Sequence, residues 1–457
     1  MQSMCGQYRA NGICPRSKPT ASRPGKRRTC PGRCVHVHDY YNKIVILTVL
    51  LAAATFSHDV APILYRQCAA CHRTGGVAPF PLVTYQDAGR RANLIATVTK
   101  KRFMPPWLPA APHFQGERKL SDAEIATLAA WAAAGAPEGN AAETPRPPHF
   151  ADGWQLGKPD AEAEMRAPFD VPAEGLDLYQ CFDIPDPSAR ARYLRAVDIQ
   201  PGNPKVVHHA LLFQDTTGTA RKRDTGQGYP CFGTPGFLPA HGISGWTPGG
   251  VPFQTPPGMP GLLHGNADLV LQVHYHPTGK PEQDRTRIAL YFTDEVPKRH
   301  AQDIPLGSNA IDIPPGERTY KVTDHFTIPV DVDVIGINPH AHYICSEMLG
   351  YAVLPDGKRV TLIHIPHWDF NWQQLYFYAT PVRLPADTRV ELEFTYDNSA
   401  GNPRNPHQPP QRVRYGPGTT DEMAGLHITV VPVHESDAEE LSQTLWGKMM
   451  RAIGPRR

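Results

Sequence analysis

Several short stretches of this sequence place histidine, cysteine and methionine at spacings that suit metal ions. The 457 residues include 21 histidines, and many of these occur as neighbours or as His-x-His triplets. Imidazole, thiolate and thioether groups are the usual ligands of haem iron, zinc and copper. The sequence therefore predicts metal-dependent chemistry before any other kind.

The first such stretch is a Cys-x-x-Cys-His sequence made by Cys68, Cys71 and His72. It is the attachment signature of a c-type haem, in which two thiols bind the vinyl groups and the imidazole ligates the iron. The same five residues could also form a redox dithiol. Met104 follows on a proline-stiffened loop and is the candidate for the second axial ligand, with a core methionine as the alternative. Residues 58–136 thereby resemble a small class I cytochrome c.

Axial ligation by histidine and methionine leaves the haem iron no open position, which favours electron transfer over oxygen chemistry. Downstream of Met104, Ser121 and Glu124 form a capping box that predicts the start of a helix. The proline-rich start of residues 137–160 is typical of a linker. The haem segment is thus predicted to be a helical electron-transfer domain joined to a larger body.

The amino-terminal residues 1–57 are predicted to be a basic leader that ends in a signal peptide. Residues 44–56 form an uninterrupted apolar run after a basic stretch, as in a signal-peptide core. The run is short for a membrane span of about 20 residues, although an uncleaved form could tether the chain to a membrane. Four cysteines and two histidines in residues 1–43 offer a zinc knuckle as an alternative. A signal peptide implies export, so we predict that the protein is periplasmic or secreted and lies in an oxidising compartment.

The remaining chain is predicted to be rich in short strands. Proline (49) and glycine (38) are abundant, and alternating or β-branched runs between them favour β-sandwiches. We predict one sandwich over residues 161–300, a second over 301–437, and a tail over 438–457 with the body's first helical periodicity. Because the positive charge is concentrated in residues 1–43, the body is mildly acidic and binding to nucleic acid is not expected.

Four places in the predicted sheets carry side chains that ligate metals. His274 with His276, and His340 with His342, are His-x-His triplets whose imidazoles project on one face of a strand. His208 and His209 are adjacent, so a regular strand would point them to opposite faces. Both could bind one metal only with a bulge or favourable rotamers. Met423 follows a turn-rich stretch and taken alone would be a core residue.

Taken together, these stretches resemble a known family. The chain is similar to the type II, ascorbate-dependent copper monooxygenases, which include peptidylglycine α-hydroxylating monooxygenase and dopamine β-monooxygenase. The matching stretches occur in family order across residues 165–435, and they are YQCFDIP, VVHHALLF, GYPCFG, LVLQVHYHP, NPHAHY and GTTDEMAGLHI. The resemblance implies two jelly-roll-like β-sandwich domains and two copper ions.

The resemblance also implies a role for individual residues. One copper would bind His208, His209 and His274, and the catalytic copper would bind His340, His342 and Met423. Three imidazoles suit a copper ion that passes electrons, whereas a thioether favours the Cu(I) form that binds dioxygen. A disulfide is implied between Cys181 and Cys231. His276 has no counterpart among the family's ligands.

The activity implied is that of an exported copper monooxygenase, an oxidoreductase acting on paired donors. One atom of O₂ would enter an aliphatic C–H bond of a small organic substrate, and the other would leave as water. Electrons would come from an ascorbate-like reductant or a redox protein through the fused c-type haem. The alternatives are an electron-transfer or copper-handling protein without hydroxylase activity, and a structural β-sandwich carrying a haem.

Some positions depart from the family pattern. The peptide-hydroxylating branch has a substrate-binding arginine and tyrosine where this chain has Asn338 and His427, so a peptide with a carboxyl-terminal glycine is not the expected substrate. Cys345 is interpreted as a buried thiol, with an additional soft ligand as the alternative. The aromatic residues within 367–372 could line a substrate pocket or belong to the core.

Overall fold

The body of the protein is built from antiparallel β-sheets, and a group of short helices precedes it. The computed structural model describes residues 54–150, 153–188, 190–237, 239–416 and 418–453, all within one compact unit, Ala52–Arg457. The predicted leader and signal peptide, with the zinc-knuckle alternative, fall almost entirely outside the described residues. No helix in the described part of the chain has the length and apolarity needed to cross a membrane.

The helical part has its own apolar core, in which Leu64, Leu128 and Trp131 are fully buried. Ser121 caps the fourth helix and both halves of the capping box with Glu124 are formed, which confirms the predicted helix start. The four helices are α1 (Ala61–Gln67), α2 (Tyr85–Gly89), α3 (Ala92–Lys100) and α4 (Asp122–Ala133).

The first half of the body consists mainly of two five-stranded sheets. The strands are β1 (Ala161–Glu164), β2 (Phe169–Val171), β3 (Leu178–Pro185), β4 (Arg192–Gln200), β5 (Val207–Asp215), β6 (Tyr229–Pro230), β7 (His241–Trp246), β8 (Phe253–Gln254), β9 (Gly261–Leu263), β10 (Asp268–Tyr275), β11 (Glu282–Asp284) and β12 (Arg287–Thr293). One sheet has the order β6-β3-β10-β5-β7. The other has the order β1-β12-β4-β8, and β9 also pairs with β4 in it, while β11 and β2 form a separate pair. A short helix, α5 (Thr219–Arg223), follows β5.

The two sheets of the first half share one core. Leu212 and Leu271 come from one sheet, and Val197 and Leu290 come from the other. Strand β10 is buried along its whole length, because one face packs into this core and the other, through Val270, packs against Ala220 and Tyr229. Burying side chains from both sheets in one apolar layer is consistent with the predicted β-sandwich.

The second half repeats this plan with two four-stranded sheets and a short pair of strands. Its strands are β13 (Gln302–Gly307), β14 (Asp312–Ile313), β15 (Tyr320–Thr327), β16 (Val332–His340), β17 (Cys345–Val353), β18 (Arg359–Ile365), β19 (Tyr376–Leu384), β20 (Arg389–Tyr396), β21 (Val413–Arg414) and β22 (Gly425–Pro432). The sheet orders are β13-β22-β16-β19 and β15-β20-β17-β18, and the short pair is β14-β21. Helix α6 (Ala438–Ile453) confirms the helical periodicity predicted for the tail.

The segment between α3 and α4 packs against the second half. Its backbone forms two hydrogen bonds with that of His364. The Ala110 N–H donates to the His364 carbonyl at 2.8 Å, and the His364 N–H donates to the Ala111 carbonyl at 2.9 Å. Phe114 is buried in the core of the second half, with its ring centroid 5.2 Å from that of Tyr376. The helical part is therefore fastened to the body by this segment as well as by residues 137–160.

The implied disulfide between Cys181 and Cys231 is present. It ties β3 to the residue after β6 and closes a loop with a sequence separation of 50 residues. Replacing both cysteines by serine should lower the free energy of unfolding by about 2–4 kcal/mol, because the unfolded chain regains the entropy of the open loop. Urea unfolding checks this, with reductant as the control that should destabilise only the wild type. Equal stabilities without reductant would contradict it.

Candidate metal centres

Three histidines of the first half converge on one point, and we call them the first cluster: His208, His209 and His274. Strands β5 and β10 pair His209 with His274, and a bulge between His274 and Tyr275 leaves His208 without a ladder partner. The bulge is what lets two consecutive imidazoles turn to the same side. The Nδ1 atoms of the three rings lie 3.1, 3.2 and 3.4 Å apart.

The geometry and protonation of the first cluster fit a metal ion. Three nitrogens bound at about 2.0–2.1 Å in tetrahedral directions would be separated by about 3.3 Å. Burial lowers the pKa of His208 to about 4 and holds that of His209 well below its usual value. Burial also lowers the pKa of His274. The imidazoles are thus neutral at pH 7, which is the form that ligates metals.

Asp177 orients the third ring, a role that no local sequence pattern indicates. Its carboxylate accepts a hydrogen bond from Nε2 of His274 at 2.8 Å and another from Nδ1 of His276 at 2.8 Å. The first bond places the proton of His274 on Nε2 and leaves the Nδ1 lone pair facing the cluster. His276 is turned outward, with 64% of its side chain exposed, and is not part of the cluster.

The second half brings His340 and His342 together at the end of β16, and we call them the second pair. Their ring centroids are 5.3 Å apart. Nδ1 of His340 lies 2.5 Å from the Gln373 side-chain oxygen, and Nδ1 of His342 lies 3.0 Å from the Asp421 carbonyl. Since these Nδ1 atoms are donors, each Nε2 keeps a lone pair. Nε2 of His342 is buried without a hydrogen-bond partner, as expected for a metal ligand.

Met423 lies two residues before β22, which is the neighbour of the strand β16 that ends at His340. Gly425, two residues after Met423, pairs with His340 between β22 and β16. The Tyr396 hydroxyl donates to the Met423 carbonyl at 2.7 Å and fixes the backbone there. Met423 and His340 line the same cavity, and the strand pairing at Gly425 places Met423 near the end of β16 that carries His340.

Glu422 supports this region, a role that its position in the sequence does not indicate. Its carboxyl is fully buried, and it accepts hydrogen bonds from the backbone N–H groups of His342 and Ile344, both at 2.8 Å. A third comes from Met423 at 3.2 Å. One side chain therefore ties together the two chain segments that carry the predicted ligands of the second copper.

A cavity of about 2470 Å³ connects the two halves of the body. His209 of the first cluster lines it, and so do His340 and Met423 of the second half. Asn338 and His427 are also in its wall. A concave space with convergent ligand-type side chains is the common setting of an active site.

The Cys-x-x-Cys-His stretch begins at the end of α1, and both thiols are free. Burial raises the pKa of Cys68 to about 12 and also raises that of Cys71, whereas a reactive redox dithiol needs a lowered pKa. Nδ1 of His72 lies 3.0 Å from the Phe80 carbonyl, so its Nε2 lone pair is available. These features fit haem attachment. Met104 is half-buried and follows α3, with its backbone N–H donating to the Val98 carbonyl.

Acid should destabilise the metal-free protein through its buried histidines. Burial lowers the pKa of His342 from 6.5 to about 3, so below pH 6.5 the unfolded chain binds a proton that the folded protein does not. The free energy of unfolding should therefore fall as the pH drops, by about 2–3 kcal/mol at pH 4 from this residue. Urea unfolding across this range should show a shallower pH slope for His342→Gln. The exposed-site control His325→Gln should retain the wild-type slope, and an unchanged slope in His342→Gln would contradict the assignment.

Comparisons with known proteins do not identify a family. No family model matches the chain, and no curated protein matches it. Among solved structures, the VP2 subviral particle of infectious bursal disease virus is 9% identical, with 64% of this chain and 75% of that chain covered at a TM-score of 0.19. The infectious bursal disease virus Gx strain structure is 7% identical, with coverages of 60% and 72% and a TM-score of 0.17. Such low scores carry no argument about this chain.

Proposed function

We propose that this chain is an exported copper-dependent monooxygenase of the type II, ascorbate-dependent family, fused to a class I cytochrome c. The convergence of three neutral imidazole nitrogens in the first cluster, across a cavity from His340 and Met423, carries this proposal. Residues 58–136 would be the cytochrome, and residues 161–300 and 301–437 the two copper-binding sandwiches. Copper in the first cluster would supply electrons, and copper held by the second pair and Met423 would activate O₂ for insertion into a C–H bond.

The protein groups around the two sites would prepare them for this role. Asp177, Gln373 and the Asp421 carbonyl each hold a proton on the ring nitrogen that points away from the site, so the other nitrogen keeps its lone pair. The thioether of Met423 is a soft donor and differentiates the second site from the three-imidazole first site. The two sites are therefore expected to have different affinities for Cu(I).

The position of the thiols supports delivery of electrons from a haem to the first cluster. Gly249 lies so close to Cys71 that a side-chain carbon on it would overlap the Cys71 sulfur. Arg118 donates a hydrogen bond to the Gly249 carbonyl. The chain runs back from Gly249 into β7, where Trp246 pairs with Ala210, the residue after His209. A short length of backbone thus joins the haem-attachment segment to the first cluster.

The cavity wall supports a small organic substrate. Asn338 and His427 stand where the peptide-hydroxylating branch has its substrate-binding arginine and tyrosine, and Nδ1 of His427 lies 2.6 Å from an Asp303 carboxylate oxygen. The hydrogen bond with Asp303 raises the pKa of His427, so its positive charge would be compensated by that carboxylate. Neither Asn338 nor His427 supplies the free guanidinium that would hold the terminal carboxylate of a peptide. We therefore propose hydroxylation of an aliphatic C–H bond in a substrate without such a group.

The proposal is tested with the haem-loaded, copper-loaded protein, ¹⁸O₂ and a panel of small organic compounds. The expected result is two copper ions per haem and one ¹⁸O atom in the hydroxylated product, with the second in water. Bound copper and haem without any ¹⁸O-labelled product would favour the alternative of an electron-transfer or copper-handling protein. Absence of specific copper binding would overturn both functions.

Removing the haem should slow turnover with reductants that act through it. We expect Cys68→Ala with Cys71→Ala to lose covalent haem and to reduce turnover with a protein electron donor by about 10-fold or more, since loss of a positioned electron relay is not replaced by diffusion. Copper content should stay unchanged. Steady-state O₂ consumption with protein and ascorbate donors checks this. Equal rates with every reductant would show that the haem does not supply the electrons.

A further inference from the structure

Asp284, the last residue of β11, carries a buried carboxyl group that accepts three hydrogen bonds. The residue is 1% exposed. Its Oδ2 accepts from the Tyr275 hydroxyl at 2.9 Å and from the Thr286 hydroxyl at 2.8 Å, and its Oδ1 accepts from the Asn203 N–H at 2.9 Å. Burying a carboxyl group is unfavourable unless donors of this kind satisfy it. The three contacts therefore hold the Asp284 side chain and its donors together.

The contact with Tyr275 fixes the chain where β10 bulges. Tyr275 follows His274, and the register between β10 and β5 shifts between these two residues. The Tyr275 side chain is fully buried, and its ring stacks on that of Phe169 with centroids 5.0 Å apart. Phe169 pairs with Asp284 between β2 and β11. The hydroxyl bond and the ring contact hold Tyr275 in the core, so the preceding imidazole is directed to the other side of the strand.

The contact with Asn203 fixes the turn that precedes the other two ligands of the first cluster. Asn203 lies between β4 and β5, and its carbonyl accepts the N–H groups of Val206 at 3.2 Å and of Val207 at 3.4 Å. Val207 begins β5 and is followed directly by His208 and His209. One carboxyl group therefore anchors both of the chain segments that supply the three imidazoles.

We propose that Asp284 is a positioning residue for the first cluster, because its carboxyl group sets how β5 and β10 align where they carry the ligands. A slip of one residue between these strands would turn an imidazole to the opposite face. Asp177 bonds to one ring only, whereas Asp284 fixes the backbone that brings all three rings together. This inference rests on the proposed function, because it requires copper in the first cluster.

Titration of the full chain with Cu(II) tests the proposal, in a His342→Ala background that leaves the first cluster as the copper site. We expect Asp284→Ala to lower the affinity for Cu(II) about 10–100-fold, the usual effect of losing a group that orients metal ligands. The electron paramagnetic resonance spectrum should change from the pattern of three coupled nitrogens to that of two, because the bulge no longer holds His208 beside the other rings. A general loss of stability would not change the number of bound nitrogens.

Two further variants separate positioning from stability. Asp284→Asn should retain the affinity and the three-nitrogen pattern, because its oxygen can accept from the Asn203 N–H and its amide can donate to the two hydroxyl groups, which accept as well as donate. Asp198→Ala is the matched control. Asp198 is also 1% exposed, but it lies on β4 in the other sheet and accepts the Gln155 N–H at 2.8 Å. Its replacement should lower the stability and leave copper binding unchanged.

An Asp284→Ala chain that bound Cu(II) as tightly as Asp198→Ala, through three nitrogens, would overturn the inference while the first copper site stands. If the His342→Ala chain bound no Cu(II) at all, the proposed function itself would be overturned. Should Asp284→Ala fail to fold, Tyr275→Phe decides, since it removes only the hydroxyl contact. We expect weaker copper binding in that variant, and unchanged affinity would contradict the role of Asp284.

Discussion

Replacing His209 by alanine is expected to remove one of two copper ions per chain and to reduce O₂-dependent product formation at least about 100-fold. The three Nδ1 atoms of the first cluster lie within 3.4 Å of one another, so loss of one leaves a two-nitrogen site with much weaker affinity. His209 also faces the cavity, and its removal opens the site to water. Metal analysis after dialysis, together with the product assay, measures both effects.

His276→Ala is the matched control for this prediction. His276 lies two residues from His274 and shares the Asp177 carboxylate, but it points to solvent. Its replacement should leave two copper ions bound. Met423→Ala should have the converse effect of His209→Ala, with the first copper kept and the second weakened. Retention of two tightly bound copper ions in His209→Ala would exclude the first cluster as a metal site.

Local periodicity predicted the strands better than it predicted which imidazoles face one another. Strand-like runs after residue 160 became sheets, but β10 ends at Tyr275 and β16 ends at His340, so the second histidine of each triplet lies beyond its strand. His342 still meets His340, whereas His276 points to solvent. For His208 and His209 the sequence left a bulge or favourable rotamers open. The bulge opposite His274 decides between them, and it depends on the pairing of two strands that are distant in sequence.

The residues that orient the ligands could not be predicted, because they come from distant parts of the chain. Asp177 reaches His274 from a position 97 residues away, and Gln373 reaches His340 from 33 residues away. Neither carries a local signal, since an isolated aspartate or glutamine resembles a surface residue. Phe114 is similar: it precedes α4 in sequence but is buried in the core of the second half. Only the packing of separate elements shows such roles.

Glu422 provides the second large expected effect, on stability and on the second site together. Glu422→Ala would leave the backbone N–H groups of His342, Ile344 and Met423 buried without this acceptor. An unsatisfied buried donor costs about 1–3 kcal/mol, so we expect a loss of about 3–5 kcal/mol in the free energy of unfolding. Copper affinity at the second site should fall about 10–100-fold, the usual effect of losing a group that orients ligands.

Glu422→Gln separates hydrogen bonding from charge. Both carboxyl oxygens of Glu422 accept backbone N–H bonds, Oε2 from His342 and Met423 and Oε1 from Ile344, whereas glutamine of similar shape keeps one acceptor oxygen and carries no charge. It should therefore recover part of the stability lost in Glu422→Ala. Asp421→Asn is the control from the same turn, since its side-chain contact is with the Gly418 N–H near the surface. Urea unfolding and copper titration measure the series. If Glu422→Ala were as stable and bound copper as tightly as Asp421→Asn, the backbone contacts of Glu422 would not be what holds His342 and Met423 in place.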